Sequence, residues 1–210
     1  MFFIKSLIDI IAPIECLNCQ ANNYWLCPDC QQQLKLLTPV IISNYDQLVT
    51  KIYYGFDYKN EIIQKLIHVG KYDGVVATIE ILTDYLLTQS LKNFISQDAV
   101  IIPVPLHPQR QRERGFNQSQ IIANRISKYL NLPVVDGRRL INTPHQVGLN
   151  GQQRQKNMLN VFSFEKNNQP LASNAIIVDD VITTGATIKS LAQAISPLFE
   201  NITAIAIAKE

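Results

Sequence analysis

The sequence predicts an α/β fold, a parallel sheet flanked by helices, with a small cysteine-rich module ahead of it. Three observations carry that prediction. The run Ala175 to Val178 is apolar without alternation, as expected of a central parallel strand covered on both faces. Strand-like and helix-like patterns take turns along the rest of the chain, the mark of an α/β sheet. All four cysteines fall between residues 16 and 30, as Cys16-x2-Cys19-x7-Cys27-x2-Cys30.

The size and composition suit this reading. A chain of 210 residues with 47% hydrophobic residues can bury one sizeable core and still carry an appendage. Charged residues are 17%, and no repeat or low-complexity run interrupts the chain, which excludes an extended disordered protein. Met1 to Ile14 is apolar but contains Lys5 and Asp9, lacks a basic leader and a cleavage site, and is too short to span a bilayer. The spacing of Phe3, Leu7, Ile10 and Ile11 predicts a helix packed on the core, and a cytoplasmic location is the expectation.

Four thiolates can close a tetrahedral zinc site, each C-x2-C pair supplying two sulfurs from one tight turn. Cys16, Cys19, Cys27 and Cys30 are therefore candidate ligands of a structural Zn2+. Two other readings are open, disulfides and a redox pair. The first does not suit a cytoplasmic chain, and the second needs one C-x-x-C at a strand-to-helix junction. A boundary is expected within Thr38 to Asn44, dividing residues 1–44 from a main domain at 45–210.

Within the main domain, Lys51 to Tyr58 reads as a strand and Glu61 to Val69 as a helix with Ile62, Ile63, Leu66 and Ile67 inward, ended by Gly70. Val75 to Leu91 gives a second helical pattern and Ala99 to Val104 a second buried strand. Ligands of such sheets bind beyond the carboxyl ends of the strands. Pro103, Pro105 and Pro108 keep the next segment extended, and in that form Arg110, Arg112 and Arg114 alternate onto one side, where guanidinium groups could grip phosphate. A solvated basic loop is the plainer reading. A polar segment from Arg139 to Asn157 comes next, loosened by Gly148 and Gly151, before Phe162 resumes a strand; His107 and His145 read as exposed loop histidines.

The stretch after Val178 carries the most chemistry. Asp179 and Asp180 stand where the apolar strand ends, and Thr183, Thr184, Gly185, Ala186 and Thr187 precede a helical pattern of Ile188, Leu191, Ala192 and Ile195. The first N–H groups of a helix lack internal partners and sit at the positive end of its dipole, so a phosphate satisfies both. Gly185 permits close approach, while two carboxylates suit sugar hydroxyls or hydrated magnesium. Phosphate on one side and diol on the other describes a ribose 5-phosphate. An ordinary strand, turn and threonine-capped helix is the alternative.

The string VDDVITTGAT resembles the phosphoribosyl pyrophosphate (PRPP) signature of type I phosphoribosyltransferases. That resemblance implies a type I phosphoribosyltransferase-like sheet, with Asp179 and Asp180 on the ribose hydroxyls, Thr183 to Thr187 around the 5-phosphate, and Mg2+ accompanying PRPP. Over nearly its full length the chain looks like the competence ComF family. The likeness includes the N-terminal zinc knuckle, the basic stretch entering Arg114-Gly115-Phe116-Asn117-Gln118, and the element Thr143-x2-Gln146-x2-Leu149-x4-Arg154-x2-Asn157. The last implies a mobile lid, with Arg154 and Lys156 contacting pyrophosphate or nucleic acid and Gln146 making a polar lid contact. ComF relatives usually have a lysine just before the glycine closing the first helix, where this chain has Ile67-His68-Val69-Gly70; Lys71 and Lys65 are the candidates to replace it.

Charge is uneven. Residues 109–156 hold nine Lys or Arg and two Asp or Glu, a net of +7, so the remainder carries −5 against a total of +2. Such a surface suits polyanions as well as a small polyphosphate, and Phe116, Tyr129 or another exposed tyrosine could stack on unpaired bases. Two function classes arise from the resemblance. One is a PRPP-binding protein of natural transformation that handles incoming single-stranded DNA beside a competence helicase. The other is an active phosphoribosyltransferase that passes ribose 5-phosphate to an acceptor, which no residue identifies, with release of pyrophosphate.

Overall fold

The computed structural model describes residues 13–35, 47–89, 91, 94–139, 162–163 and 172–210. The expected N-terminal helix, apart from its last two positions, and the boundary at 38–44 lie outside them. So do most of the segment at 139–157 and, with it, Gln146, Arg154 and Lys156.

The elements are α1 (Pro28–Gln32), β1 (Lys51–Asp57), α2 (Glu61–Tyr72), α3 (Val76–Gln89), β2 (Ala99–Pro103), α4 (Pro108–Arg114), α5 (Gln118–Leu130), β3 (Arg138–Arg139), β4 (Phe162–Ser163), β5 (Asn174–Ile182), α6 (Ala186–Ile195) and β6 (Asn201–Lys209). β1, β6, β5 and β2 form a four-stranded sheet in that order, and each pairing is parallel. β3 and β4 make a separate antiparallel pair. The chain starts at one edge with β1, crosses to the other edge with β2, and works back through β5 and β6. β5 therefore lies inside the sheet, and the turn leaving its carboxyl end opens where α/β sheets hold ligands.

Both faces of the sheet are buried, which is why its strands read as continuous apolar runs. Tyr53, Ile101, Ile176, Val178, Ile205 and Ile207 point to the side covered by α2, α3 and α5, through Ile63, Leu66, Ile79, Leu82, Ile122 and Ile126. Ile52, Val100, Ile102, Ala175, Ile177 and Ala204 point to the other, against Ile188, Leu191, Ala192 and Ile195 of α6. The parallel sheet flanked by helices is the architecture expected from the sequence. β6 was not anticipated: its Ala204, Ala206 and Ala208 alternate with isoleucines, and alanine is a weak strand former that disguises the pattern.

Two local expectations are corrected. Gly70 does not end α2, which is capped at its start by Asn60 Oδ1, accepting from Ile62 N–H and Ile63 N–H, and continues to Tyr72. Gly70 is instead where α3 comes close, since a Cβ there would meet Ile79 Cγ1 at 2.7 Å and Thr78 Oγ1 at 2.8 Å. The arginine-rich segment is helical, not extended. Pro103 and Pro105 do keep the chain open, but Pro108 occupies the first turn of α4, where a missing N–H costs nothing. His107 caps that helix by accepting from Gln109 N–H at Nδ1, and Gly115 closes it at φ 80°.

Candidate functional site

The acidic pair sits near the end of β5 inside a network that reaches three other elements. Lys71 Nζ, from the last turn of α2, lies 2.8 Å from Asp180 Oδ2. Ser119 Oγ, in the first turn of α5, donates to Asp179 Oδ1 at 3.1 Å. The Asp180 N–H also donates to Asp179 Oδ1, at 2.9 Å, and the Val181 N–H to Asp180 Oδ1, at 2.7 Å. Asp179 Oδ2 accepts no hydrogen bond among the described residues.

The electrostatics of the pair separate its two members. Burial, and then the charge of Asp180, push the Asp179 carboxyl up to about 7, against the pull of the Asp180 N–H, Lys71 and Ser119. Burial works against the Lys71 charge, but Asp180 outweighs it and holds the ammonium above its ordinary value. One carboxylate is thus neutralised by a lysine, while burial and the neighbouring charge disfavour the ionised form of the other. A pair in that state favours hydroxyls over a bare dication, although its oxygens could still take a hydrated magnesium ion.

Beyond the pair the chain turns into α6 as the sequence predicts. Thr183 and Thr184 are exposed, and Gly185 is buried at φ 72°, a left-handed conformation that disfavours any side chain. Gly185 brings no cap to the helix; Thr184 Oγ1 approaches the Ala186 N–H at 3.5 Å, the limit of a hydrogen bond.

The corrected helix α4 redistributes the arginines. Arg110 and Arg114 stand four residues apart on one helical face, whereas Arg112 is on the opposite side and exposed. Arg110 and Arg114 line a recess of about 410 Å³ with Lys71, Tyr72, Asp73, Gly74 and Glu113. Arg114 is fixed from two directions, its Nη1 donating to the buried Gln118 Oε1 at 3.2 Å and its guanidinium lying 5.3 Å from the Tyr72 ring centre. Lys71 belongs to both the recess and the acidic pair. Of the two lysines the sequence offered, Lys71 is the one that reaches the site, and Lys65 is exposed on α2. Ser119 and Tyr72 were missed altogether. Neither carries a spacing signal, since their partners lie far away in the chain.

The four cysteines converge as predicted. Their Sγ atoms all lie within 4.8 Å of one another, Cys16, Cys27 and Cys30 being buried and Cys19 exposed. A zinc ion with sulfurs at about 2.3 Å keeps them about 3.8 Å apart, and Cys19 Sγ to Cys27 Sγ is 3.5 Å. All four thiols are free of disulfides. The turn at Gln20, with φ 63°, returns the chain after the first pair, and Pro28 starts α1 so that Cys30 faces inward. Burial pushes the Cys16 thiol up, but the N–H groups of Cys19, Cys27 and Asn18 outweigh it and bring it down to about 6. At Cys30 the Asn18 amide pulls down, yet burial and the other three sulfurs take it up to about 12. Thiols this crowded ionise together only beside a cation, and the donor set fits a metal ion such as zinc.

Among the described residues no helix is long and apolar enough to cross a membrane. No family model matches the chain. It is similar to competence protein F of Haemophilus influenzae, 38% identical over 102 residues, which is 47% of this chain and 44% of that protein. The DNA utilization protein YhgH of Escherichia coli is 36% identical over 97 residues, 44% of this chain and 41% of its own length. The competence protein ComFC of Bacillus subtilis is 27% identical over 130 residues, 61% and 51% of the two chains. The chain thus matches about half, or less, of the length of these relatives. Among solved structures, a purine phosphoribosyltransferase from Pyrococcus horikoshii overlaps 63% of this chain and 82% of its own at 15% identity, with a TM-score of 0.36.

Proposed function

We propose that this chain, similar over part of its length to competence and DNA utilization proteins, is a PRPP-binding protein of natural transformation that handles incoming single-stranded DNA in the cytoplasm. The observation that carries the ligand half of this reading is the junction of β5 and α6. There an acidic pair is succeeded by exposed Thr183 and Thr184 and a left-handed Gly185. The sugar hydroxyls would meet Asp179 and Asp180, and the 5-phosphate the turn from Thr183 to Thr187 with the α6 amino terminus. Mg2+, when bound with PRPP, would supply charge neutralisation for the pyrophosphate. Zinc on Cys16, Cys19, Cys27 and Cys30 would hold the N-terminal module together, with no open position for chemistry.

The DNA half rests on the relatives named for competence and DNA utilization and on the net +7 of residues 109–156. Gln146, Arg154 and Lys156 remain proposed contacts to pyrophosphate or nucleic acid. An active phosphoribosyltransferase is a second reading, favoured by Lys71, which pairs with Asp180, and by Arg110 and Arg114, which line a recess with Lys71 and could stabilise departing pyrophosphate. PRPP with magnesium should raise the melting temperature, and Asp179→Ala with Asp180→Ala should abolish that rise. An unshifted wild-type protein would remove PRPP from the account. Release of pyrophosphate in the presence of candidate bases decides between the binding and enzymatic readings.

A further inference from the structure

Tyr72 is the most exposed large hydrophobic residue among those described, at 55%. It ends α2 at the mouth of the recess, and its ring is in unusual company. The His68 imidazole, one turn earlier on the same helix, lies 4.7 Å away centre to centre at 46°. The Arg114 guanidinium lies 5.3 Å from the ring centre and is anchored behind by Gln118. Lys71 and Arg110 complete the cations of the recess, with Asp73 and Glu113 on its wall.

Holding α2 against α4 would not require an aromatic ring this open. A leucine could fill such a contact, and a buried tyrosine would do it better. An exposed aromatic ring beside an imidazole and a guanidinium, at a recess lined by further cations, is the composition of sites where successive bases stack and their phosphates are neutralised. The recess, about 410 Å³, suits one splayed base rather than a duplex. We infer that Tyr72, with His68 and Arg114 beside it, is a stacking platform for an unpaired nucleobase, whose flanking phosphates meet Lys71, Arg110 and Arg114. Asp73 and Glu113 supply acceptors for exocyclic amines and keep the recess from binding every anion alike. This rests on the single-stranded DNA reading above and assigns that reading a location, away from Phe116 and Tyr129.

The test measures affinity for a thymidine oligomer and for an oligomer of the same length built of abasic sugar phosphates, using the full chain. Tyr72→Ala should weaken binding of the thymidine strand by about 5- to 150-fold, the range for losing one base stack. Tyr72→Trp should bind it at least as well as wild type, and the abasic strand should not register either change. Equal affinity of wild type and Tyr72→Ala for the thymidine strand overturns the platform while leaving the DNA reading intact. An equal loss on both strands also overturns it, because Tyr72 would then act only by holding Arg114. If Tyr72→Ala melts early, Tyr72→Leu, which keeps the bulk without the π face, replaces it with the same expectations. A wild-type protein that binds neither strand defeats the DNA reading, and the platform falls with it.

Discussion

Lys71 and Asp180 form an ion pair of 2.8 Å across the gap between α2 and β5, with side chains 17% and 12% exposed. It ties α2 to the acidic pair and gives Asp180 a counter-charge inside the protein. Lys71→Met would leave that carboxylate poorly solvated and unpaired, at an expected cost of about 3 kcal/mol. Adding Asp180→Asn should restore most of the loss. A double-mutant cycle in urea reads the coupling, and additive losses would mean that the pair contributes nothing of its own.

The raised pKa of Asp179 makes stability depend on pH. Its carboxyl titrates at about 7 when folded, against about 3.9 in an unfolded chain. A carboxyl in that position binds more protons folded than unfolded between those values. Its contribution is full below about pH 4 and is lost as pH rises through about 7. Wild type should therefore lose more stability between about pH 5.5 and about pH 8 than Asp179→Asn, which carries no titrating group there. Parallel melting curves for the two proteins across that window would refute the assignment.

Gly70 is a packing glycine. A methyl group there would press on Ile79 Cγ1 at 2.7 Å and on Thr78 Oγ1 at 2.8 Å, where the hydroxyl is already committed to the Leu66 carbonyl. Gly70→Ala gains helix propensity yet should destabilise by about 1–3 kcal/mol, the usual range for overpacking. Combining it with Ile79→Ala should cost less than the two single changes added together. A Gly70→Ala protein as stable as wild type would show that α2 and α3 are not held at this distance.

The cysteine cluster predicts one zinc per chain by elemental analysis. Stripping it with a strong chelator should lower the melting temperature and loosen residues 13–35 to proteolysis before the sheet is affected. Cys27→Ser should reproduce both effects, because Cys27 is buried between its neighbours and its N–H also donates to Cys16 Sγ at 3.4 Å. Metal-free protein with unchanged protease sensitivity would make the cluster a set of reduced thiols and nothing more.

How much of the molecule is legible in the sequence depends on how local each signal is. The cysteine pairs and the β5 to α6 turn are written in contiguous residues, so spacing alone brought Cys16, Cys19, Cys27 and Cys30 together and put a turn between the strand and the helix, where the structure adds the left-handed conformation of Gly185. Lys71, Ser119 and Tyr72 enter the site through the packing of α2 and α5 on the sheet, which no run of neighbours records. β6 escaped because alanine-rich strands look like weak helices. Pro108 misled in a different way: proline blocks a helix interior but favours a helix start, and only the capping at His107 and Gly115 distinguishes the two.

That last distinction has a functional consequence, since it decides which arginines can act together. In an extended segment Arg110, Arg112 and Arg114 would share a side, and losing any of them would weaken anion binding alike. On α4, Arg110 and Arg114 share the recess with Lys71 while Arg112 faces away. Pyrophosphate, a probe for this recess, should bind Arg110→Gln and Arg114→Gln several-fold more weakly and Arg112→Gln about as well as wild type. Gln118 and Tyr72 hold the Arg114 guanidinium in place before any ligand arrives, so little ordering remains to be done there on binding. Gln118→Leu, which removes the acceptor at 3.2 Å but keeps the bulk, should weaken pyrophosphate binding in the same direction as Arg114→Gln and add nothing to it in the double variant. Equal losses from all three arginine variants would return the segment to an extended strap and with it the arrangement that its alternating sequence first suggests.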